Sequence, residues 1–470
     1  MKLTRALNLL LLYAEGITAS SLPWHGLSRR QDATTTTATV DLSKTHGPAK
    51  FLGSGFIYGW PDNGVEAQTS IPDHFATEIK FNACRAGGAQ IPAAGWATGG
   101  YEGYIGRFNS TLSNYRSTRR YGGDFILLVH DIWGADGGLQ GTEAVYPGDN
   151  GDWSSVEAYL EQLAGDILAN GMLEGLVLDI WNEPELDLFW PRAWEQYLEY
   201  YVRAHRILKT LLPTTLISGP SGAHSPSLDS TTWTTWMATI SNNNTIPDRY
   251  SWHQIGSWER EPDRTIPEFN TLRATYGLPE RPIDVNEYAW PSEQNPANAA
   301  FYLAQLERYD IRGLRANWGS AGGLHDLMAN LLYKGGDGTY YPNGEWYLYK
   351  YYAGMTGERV QTAASTDLQF DVFGTVSRGG RVKLLAGTRT VQAPYDIRVE
   401  GVSSLGLPRR GSVHVRTYRF DWNGLAGSVE SPVDLGCKRY KYSGDVLTIP
   451  VSPPSNSTAF AFEFSKHGRC

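Results

Sequence analysis

Two carboxylates in this chain have neighbours that suit chemistry. Glu183 lies in Leu178-Asp179-Ile180-Trp181-Asn182-Glu183-Pro184-Glu185, where an apolar run broken only by Asp179 gives way to a polar cluster held by a proline. Glu287 follows a second such run, Ile283 to Asn286. Short apolar runs bounded by turn residues read as buried parallel strands. Each glutamate therefore stands at the carboxyl end of a strand, where barrel enzymes keep their chemistry. Two carboxyl groups about 5–5.5 Å apart can cleave a glycosidic bond with retention. One protonates the leaving oxygen and the other attacks the anomeric carbon. The acid must hold its proton near working pH, and Glu287 supplies Glu183 with the negative charge that favours this. Arg85, at the end of the second strand, is the cation placed to keep Glu287 ionised. An Asn-Glu-Pro triplet alone would suit a turn or helix-capping carboxylate equally well. The second strand-end glutamate tips the reading toward catalysis.

Other candidates rest on strand-end position. Asn182 can donate to the sugar hydroxyl beside the scissile bond, an interaction that strengthens as charge grows on the ring. His130 and Asp131 end the third strand and suit sugar hydroxyls or a structural hydrogen bond. His253, near the end of the sixth strand, can bond a hydroxyl, orient Glu287, or be a core histidine. Trp318, just past the eighth strand, is a platform for the reacting sugar. Trp60 and Trp290 are weaker rim positions. Glu185 and Asp187 read as loop carboxylates able to tune the acid. Most of the 16 Trp and 27 Tyr are assigned to a large core.

These residues need a scaffold. A chain of 470 residues is too long for one simple core. Strands and amphipathic helices alternate from about Gly53 to Gly319, and eight strands can be placed. They are Gly55–Tyr58, Ala83–Ala86, Phe125–His130, Leu176–Ile180, Thr215–Ser218, Ser251–Ile255, Ile283–Asn286 and Gly313–Asn317. Helix signals fall between them: a Ser154-Ser155-Val156-Glu157 capping box, and Asn295-Pro296 opening another helix. Eight such units suit a (β/α)8 TIM barrel of about 250 residues over 53–345. An open doubly wound sheet would carry its glycine loop after the first strand, whereas Gly53-Ser54-Gly55 precedes it. A helix at Trp346–Met355 leads into 346–470, where short strands predict a C-terminal β-sandwich. They are Val382–Ala386, Asp396–Val402, Val413–Tyr418, Val446–Val451 and Ala459–Phe464. The last alternates, putting three phenylalanines on one face. Residues 31–52 form a linker with a strand, Thr39–Leu42, joining the sandwich.

Residues 1–20 read as a secretory signal, with Lys2 and Arg5 before the apolar stretch Ala6–Ala14. Residues 21–30 read as a propeptide ending in the dibasic Arg29-Arg30. Sequons at Asn109, Asn243 and Asn456 accord with export. The formal charge of −8 argues against nucleic acid and anionic membrane surfaces as partners, and no later segment is apolar enough to span a bilayer. Of three cysteines, Cys84 reads as a buried thiol, and Cys437 and Cys470 can pair. Their spacing makes no zinc site, and neither a metal nor an organic cofactor is expected.

Ile180-Trp181-Asn182-Glu183-Pro184, continuing to Phe189-Trp190 and Ser218-Gly219-Pro220, resembles the retaining glycoside hydrolases of clan A, and within them family 39, which includes β-xylosidases and α-L-iduronidases. The match is best over Leu176–Ser221 and fair over Pro282–Trp290. The resemblance implies a barrel with a β-sandwich, Glu183 as acid/base and Glu287 as nucleophile. The chain departs from the family pattern twice. Arg85-Ala86-Gly87 stands where Arg-x-His is common, and His253-Gln254-Ile255 where His-x-Tyr is common. Both departures bear on sugar specificity more than on reaction type. The expectation is a secreted retaining glycosidase acting on a carbohydrate substrate, plant or microbial polysaccharide or oligosaccharide, by double displacement. A transglycosylase is one alternative. A carbohydrate-binding protein on an inactive barrel is another, and the presence of both glutamates argues against it.

Overall fold

The computed structural model describes residues 36–62, 70–137, 144–255, 261–316, 324–389, 391–466 and 468. The signal and propeptide segments, Trp318 and Cys470 lie outside the described residues. After β1 (Thr36–Pro48) come eight parallel strands that close into a barrel. They are β2 (Gly55–Ile57), β3 (Ala83–Ala86), β4 (Asp124–Leu128), β5 (Leu176–Asp179), β6 (Leu216–Gly222), β7 (Arg249–Gln254), β8 (Ile283–Tyr288) and β9 (Arg312–Arg315). β9 pairs with β2 and completes the ring.

All eight expected strands are present, with shifted ends. β4 stops at Leu128, so His130 and Asp131 belong to a one-turn helix, Val129–Trp133, rather than to a strand. β8 runs on to Tyr288, which puts Glu287 inside the strand. The helix over Ser154–Ala169 is not capped by the Ser154/Glu157 pair; the carboxylate of Asp152 takes the Ser154 N–H at 2.9 Å. Asn295 does cap the helix Pro296–Tyr309, its side chain accepting from Asn298 N at 3.2 Å.

The apolar strand runs face helices outside the barrel, while some inward positions are ionic. Asp284 on β8 accepts from Arg249 on β7 at 2.6 and 2.7 Å and from Arg312 on β9 at 3.0 and 2.7 Å. Burial alone would raise its carboxyl, but the two guanidinium groups outweigh that and hold it well below the usual carboxylate range.

Past a short hairpin, β10 (Leu332–Lys334) and β11 (Tyr340–Pro342), and the helix Gly344–Ala353, the chain becomes all β. The strands are β12 (Glu358–Ala363), β13 (Phe370–Val376), β14 (Arg381–Thr388), β15 (Tyr395–Glu400), β16 (Gly411–Phe420), β17 (Val433–Tyr442), β18 (Val446–Val451) and β19 (Ala459–Ser465). With β1 they form one mostly antiparallel sheet, ordered β17-β16-β19-β14-β13-β12-β1-β15-β18. The sheet folds over until its edge strands approach each other, and its halves enclose a core of their own, a β-sandwich. β1 reaches this sheet by pairing with β12 and β15.

The alternation in β19 sorts its residues between two cores. Phe460, Phe462 and Phe464 enter the sandwich core, and Ala459 and Ala461 face the barrel side. β14 lies close on the helix Pro296–Tyr309 because Gly387 has no side chain. A Cβ there would sit 2.1 Å from Ala297 O and 2.8 Å from Ala300 Cβ. Cys84 is a buried free thiol pushed up to about 12 by burial, and Cys437 is disulfide-bonded. Among the described residues no helix is long and apolar enough to cross a membrane.

Candidate active site

β5 ends at Asp179, and the next four residues turn Glu183 over the barrel mouth. Trp181 is buried edge-on against Trp190, ring centroids 4.9 Å apart, and its indole donates to Phe189 O at 3.1 Å. Glu183 takes a left-handed backbone, φ +43°, while its N–H bonds Ser221 O at 2.9 Å. Such a conformation costs a non-glycine residue on the order of 1–3 kcal/mol, and the packed turn supports it.

Arg85 on β3 ties the site together. Its Nη1 donates to Glu287 Oε1 at 2.8 Å, its Nε to Asp179 Oδ2 at 2.8 Å, and its Nη2 to Asn182 Oδ1 at 2.7 Å. The guanidinium is 1% exposed. Burial works against its charge, but Asp179 and Glu287 outweigh this and raise its pKa. Asp179 is itself held by Ser221 Oγ at 2.6 Å and Asn286 Nδ2 at 3.1 Å, and Ser221 Oγ lies 2.8 Å from Ser251 Oγ. Because Asn182 spends its carbonyl oxygen on Arg85, its amide N–H groups remain the ones to offer a ligand.

His253 on β7 lies between the two glutamates. Nδ1 is 2.7 Å from Glu183 Oε1, and Nε2 is 3.7 Å from Glu287 Oε1. The Glu183 and Glu287 carboxylates and a His253 ring nitrogen have atoms within 4.8 Å of one another. Such a trio invites a test as a cation site. The imidazole is hydrogen-bonded to Glu183 through Nδ1, while Nε2 faces Glu287 beyond hydrogen-bond distance.

Burial pushes His253 down from 6.5 to about 4, so it is neutral at mildly acidic pH. The unfolded chain binds a proton there that the folded protein refuses. The associated stability is complete above about 6.5 and is lost as pH falls toward 4, about 3 kcal/mol in all. Denaturant unfolding at pH 7 and pH 4.5 should show His253→Gln losing less stability than the wild type over that interval. Equal losses would exclude a buried neutral imidazole.

The structure thus gathers Glu183, Glu287, Asn182, Arg85 and His253. It sets His130 and Asp131 in a neighbouring hub. His130 Nε2 is 2.9 Å from Asp131 Oδ1, and the other Asp131 oxygen accepts from Tyr58 OH. That hydroxyl also accepts from Gly87 N at 3.2 Å and Ala89 N at 3.1 Å, so the hub shapes the loop after β3. Burial alone would raise Asp131, but His130, Tyr58 and Arg107 outweigh it and lower its pKa. Trp60 is fully buried and stacks on Tyr121, whereas Trp290 is partly exposed past Glu287. Glu185 accepts from His224 N at 2.9 Å, and Asp187 is exposed. The Ser221, Ser251 and Asn286 contacts were not foreseen; a charged Asp179 inside an apolar strand was their one signal.

No family model matches the chain. It is 25% identical over 124 residues to a 3-O-alpha-D-galactosyl-alpha-L-arabinofuranosidase of Bifidobacterium longum subsp. longum, which is 26% of this chain and 10% of that enzyme. It is 26% identical over 134 residues to a 3-O-beta-L-arabinopyranosyl-alpha-L-arabinofuranosidase of Bifidobacterium pseudocatenulatum, 28% of this chain and 13% of that one. The aligned stretches thus span only about a tenth of either curated relative. Among solved structures, N2152 from Neocallimastix frontalis has a TM-score of 0.73 at 19% identity, covering 92% of this chain and 100% of that one. The GH39 enzyme from Xanthomonas axonopodis pv. citri has a TM-score of 0.56 at 16% identity, covering 94% and 100%. The likeness to these structures is one of fold: a (β/α)8 barrel carrying a β-sandwich, here with paired carboxylates at the barrel mouth.

Proposed function

We propose that this protein is a secreted retaining glycoside hydrolase of the family 39 type, cleaving α-L-arabinofuranosidic bonds of plant polysaccharides or their oligosaccharides. The observation that carries the reading is the pair of carboxylates, Glu183 in the turn after β5 and Glu287 on β8, with oxygens within 4.8 Å. That spacing suits attack on a sugar held between them. Inverting enzymes keep their carboxyl groups about 6.5–9.5 Å apart to admit a water.

The surroundings divide the labour. Arg85 donates to Glu287 and favours its ionised form, as a nucleophile requires. Glu183 meets a neutral imidazole instead of a second cation. A neutral His253 can accept from the acid form of Glu183 or donate to its carboxylate form, so the contact survives both halves of the reaction. In the first half Glu183 gives its proton to the leaving oxygen while Glu287 bonds to the anomeric carbon. In the second, Glu183 takes a proton from water while the water oxygen bonds to the anomeric carbon and displaces Glu287, which leaves as a carboxylate.

The sugar is proposed from the two bifidobacterial relatives, whose names specify α-L-arabinofuranosides. Secretion is proposed from the N-terminal pattern and the sequons. Aryl α-L-arabinofuranoside and aryl β-D-xyloside should be offered in parallel, with NMR of the first-formed anomer. The arabinofuranoside should be cleaved, with its configuration kept. Inversion would overturn the mechanism, and exclusive xyloside cleavage would overturn the sugar.

A further inference from the structure

Arg389 comes from the sandwich, just past β14, yet its side chain is 4% exposed and engages barrel residues. Its Nε lies 2.6 Å from Glu261 Oε1 and its Nη2 lies 2.6 Å from Glu293 Oε1. The guanidinium also sits over the ring of Tyr302, 5.5 Å from the centroid, and Tyr302 OH donates to the same Glu261 oxygen at 3.4 Å.

The two carboxylates belong to the segments that leave the strands bearing His253 and Glu287. Glu261 opens the helix Pro262–Thr275 that follows β7. Glu293 closes the turn Pro291–Glu293 that follows β8, and its second oxygen accepts from Trp290 N at 2.7 Å. Gln294 braces the same turn, donating to Ala289 O at 3.2 Å and to Ala316 O at 2.9 Å. Ala289 takes a left-handed backbone at φ +68°, a conformation that needs such bracing. The chain from Glu287 to Trp290 is therefore folded back by barrel contacts and by one guanidinium from the other domain.

We propose that Arg389 is a positioning residue through which the sandwich ties the start of the helix Pro262–Thr275 to the turn Pro291–Glu293, fixing the backbone that follows Glu287 at the edge of the sugar subsite. Placing a sugar there rests on the glycosidase reading above; the clamp does not. Without their shared cation the two buried carboxyl groups would have to take up protons or separate, and in either case the bonds by which Arg389 ties the two segments together would be gone. Burial already pushes Glu261 up to about 7 with Arg389 in place.

Arg389→Met should raise KM for an aryl arabinofuranoside about tenfold while kcat per folded molecule moves less than about threefold, a loss of placement rather than of chemistry. Arg389→Lys should recover part of the loss. To keep the test readable where Arg389→Met alone unfolds the chain, a triple variant adding Glu261→Gln and Glu293→Gln removes the unpaired charges. It should fold with near wild-type Tm yet keep the raised KM. Wild-type KM in the triple variant, or in Arg389→Met itself, overturns the proposal. Should the wild type cleave no glycoside, the functional reading fails separately, and the clamp is then read from amide hydrogen exchange at Ala289–Gln294. Faster exchange in the triple variant supports it, and unchanged exchange overturns it.

Discussion

Glu287→Gly should reduce turnover by at least about 10⁴-fold, and millimolar azide should restore a large part of it. The variant loses the group that attacks the anomeric carbon but leaves space for a small anion. Arg85, no longer paired with Glu287, would attract that anion to the same place. The product expected is a glycosyl azide of inverted configuration, because one displacement replaces two. Hydrolysis that persists in the variant would remove Glu287 from the nucleophile's role. So would azide that neither accelerates the reaction nor enters the product. The fold should be untouched, since the Arg85 bonds to Asp179 and Asn182 remain.

The second large effect belongs to Glu183. Glu183→Ala should lower kcat/KM about 10²–10⁴-fold on natural linkages, whose leaving oxygen needs a proton. Activated aryl glycosides leave without that help, so their first step should slow far less. Their second step lacks its base, and the glycosyl-enzyme should accumulate as a burst. Equal losses on both substrate types would place the acid elsewhere. The variant also removes a residue from a left-handed backbone position, and alanine tolerates φ +43° no better than glutamate does. Thermal stability should fall by no more than about 1–2 kcal/mol, mainly through the lost His253 contact.

The barrel was legible because parallel strands covered on both faces must be apolar for several residues in succession. Phe125-Ile126-Leu127-Leu128 and Leu176-Val177-Leu178 announce themselves this way. The sandwich was only partly legible. β17 is exposed along most of its length and carries Lys438, Arg439 and Lys441, so no alternation marks it. β12 and β13 were missed as well; Gly374 and Asp371 interrupt the β13 pattern, and neither residue is understandable without its neighbours. Gly374 makes room for Val360 and Leu384, and Asp371 receives Arg308 from the barrel. The same holds inside the barrel. Arg249, Asp284 and Arg312 read singly as solvated charges, and only the pairing of β7, β8 and β9 joins them.

Site residues show the same division. Their types and strand-end places could be read from the chain, because a polar cluster ending an apolar run is a local signal. Their partners could not. His253 had three roles open to it, and the choice depended on whether Glu183 or a backbone group stood 2.7 Å away. His130 and Asp131 follow an apolar run as strand-end residues do, but a single helical turn redirects them toward Tyr58.

The three-way grip of Arg85 has a consequence for assembly. β3 and β8 are far apart in the chain and are not neighbours around the ring. A nascent chain that has reached only β5 would already have Arg85, Asp179 and Asn182, with one of the two anions still missing. Fragments cut between β5 and β8 should regain activity only when they re-form the whole ring.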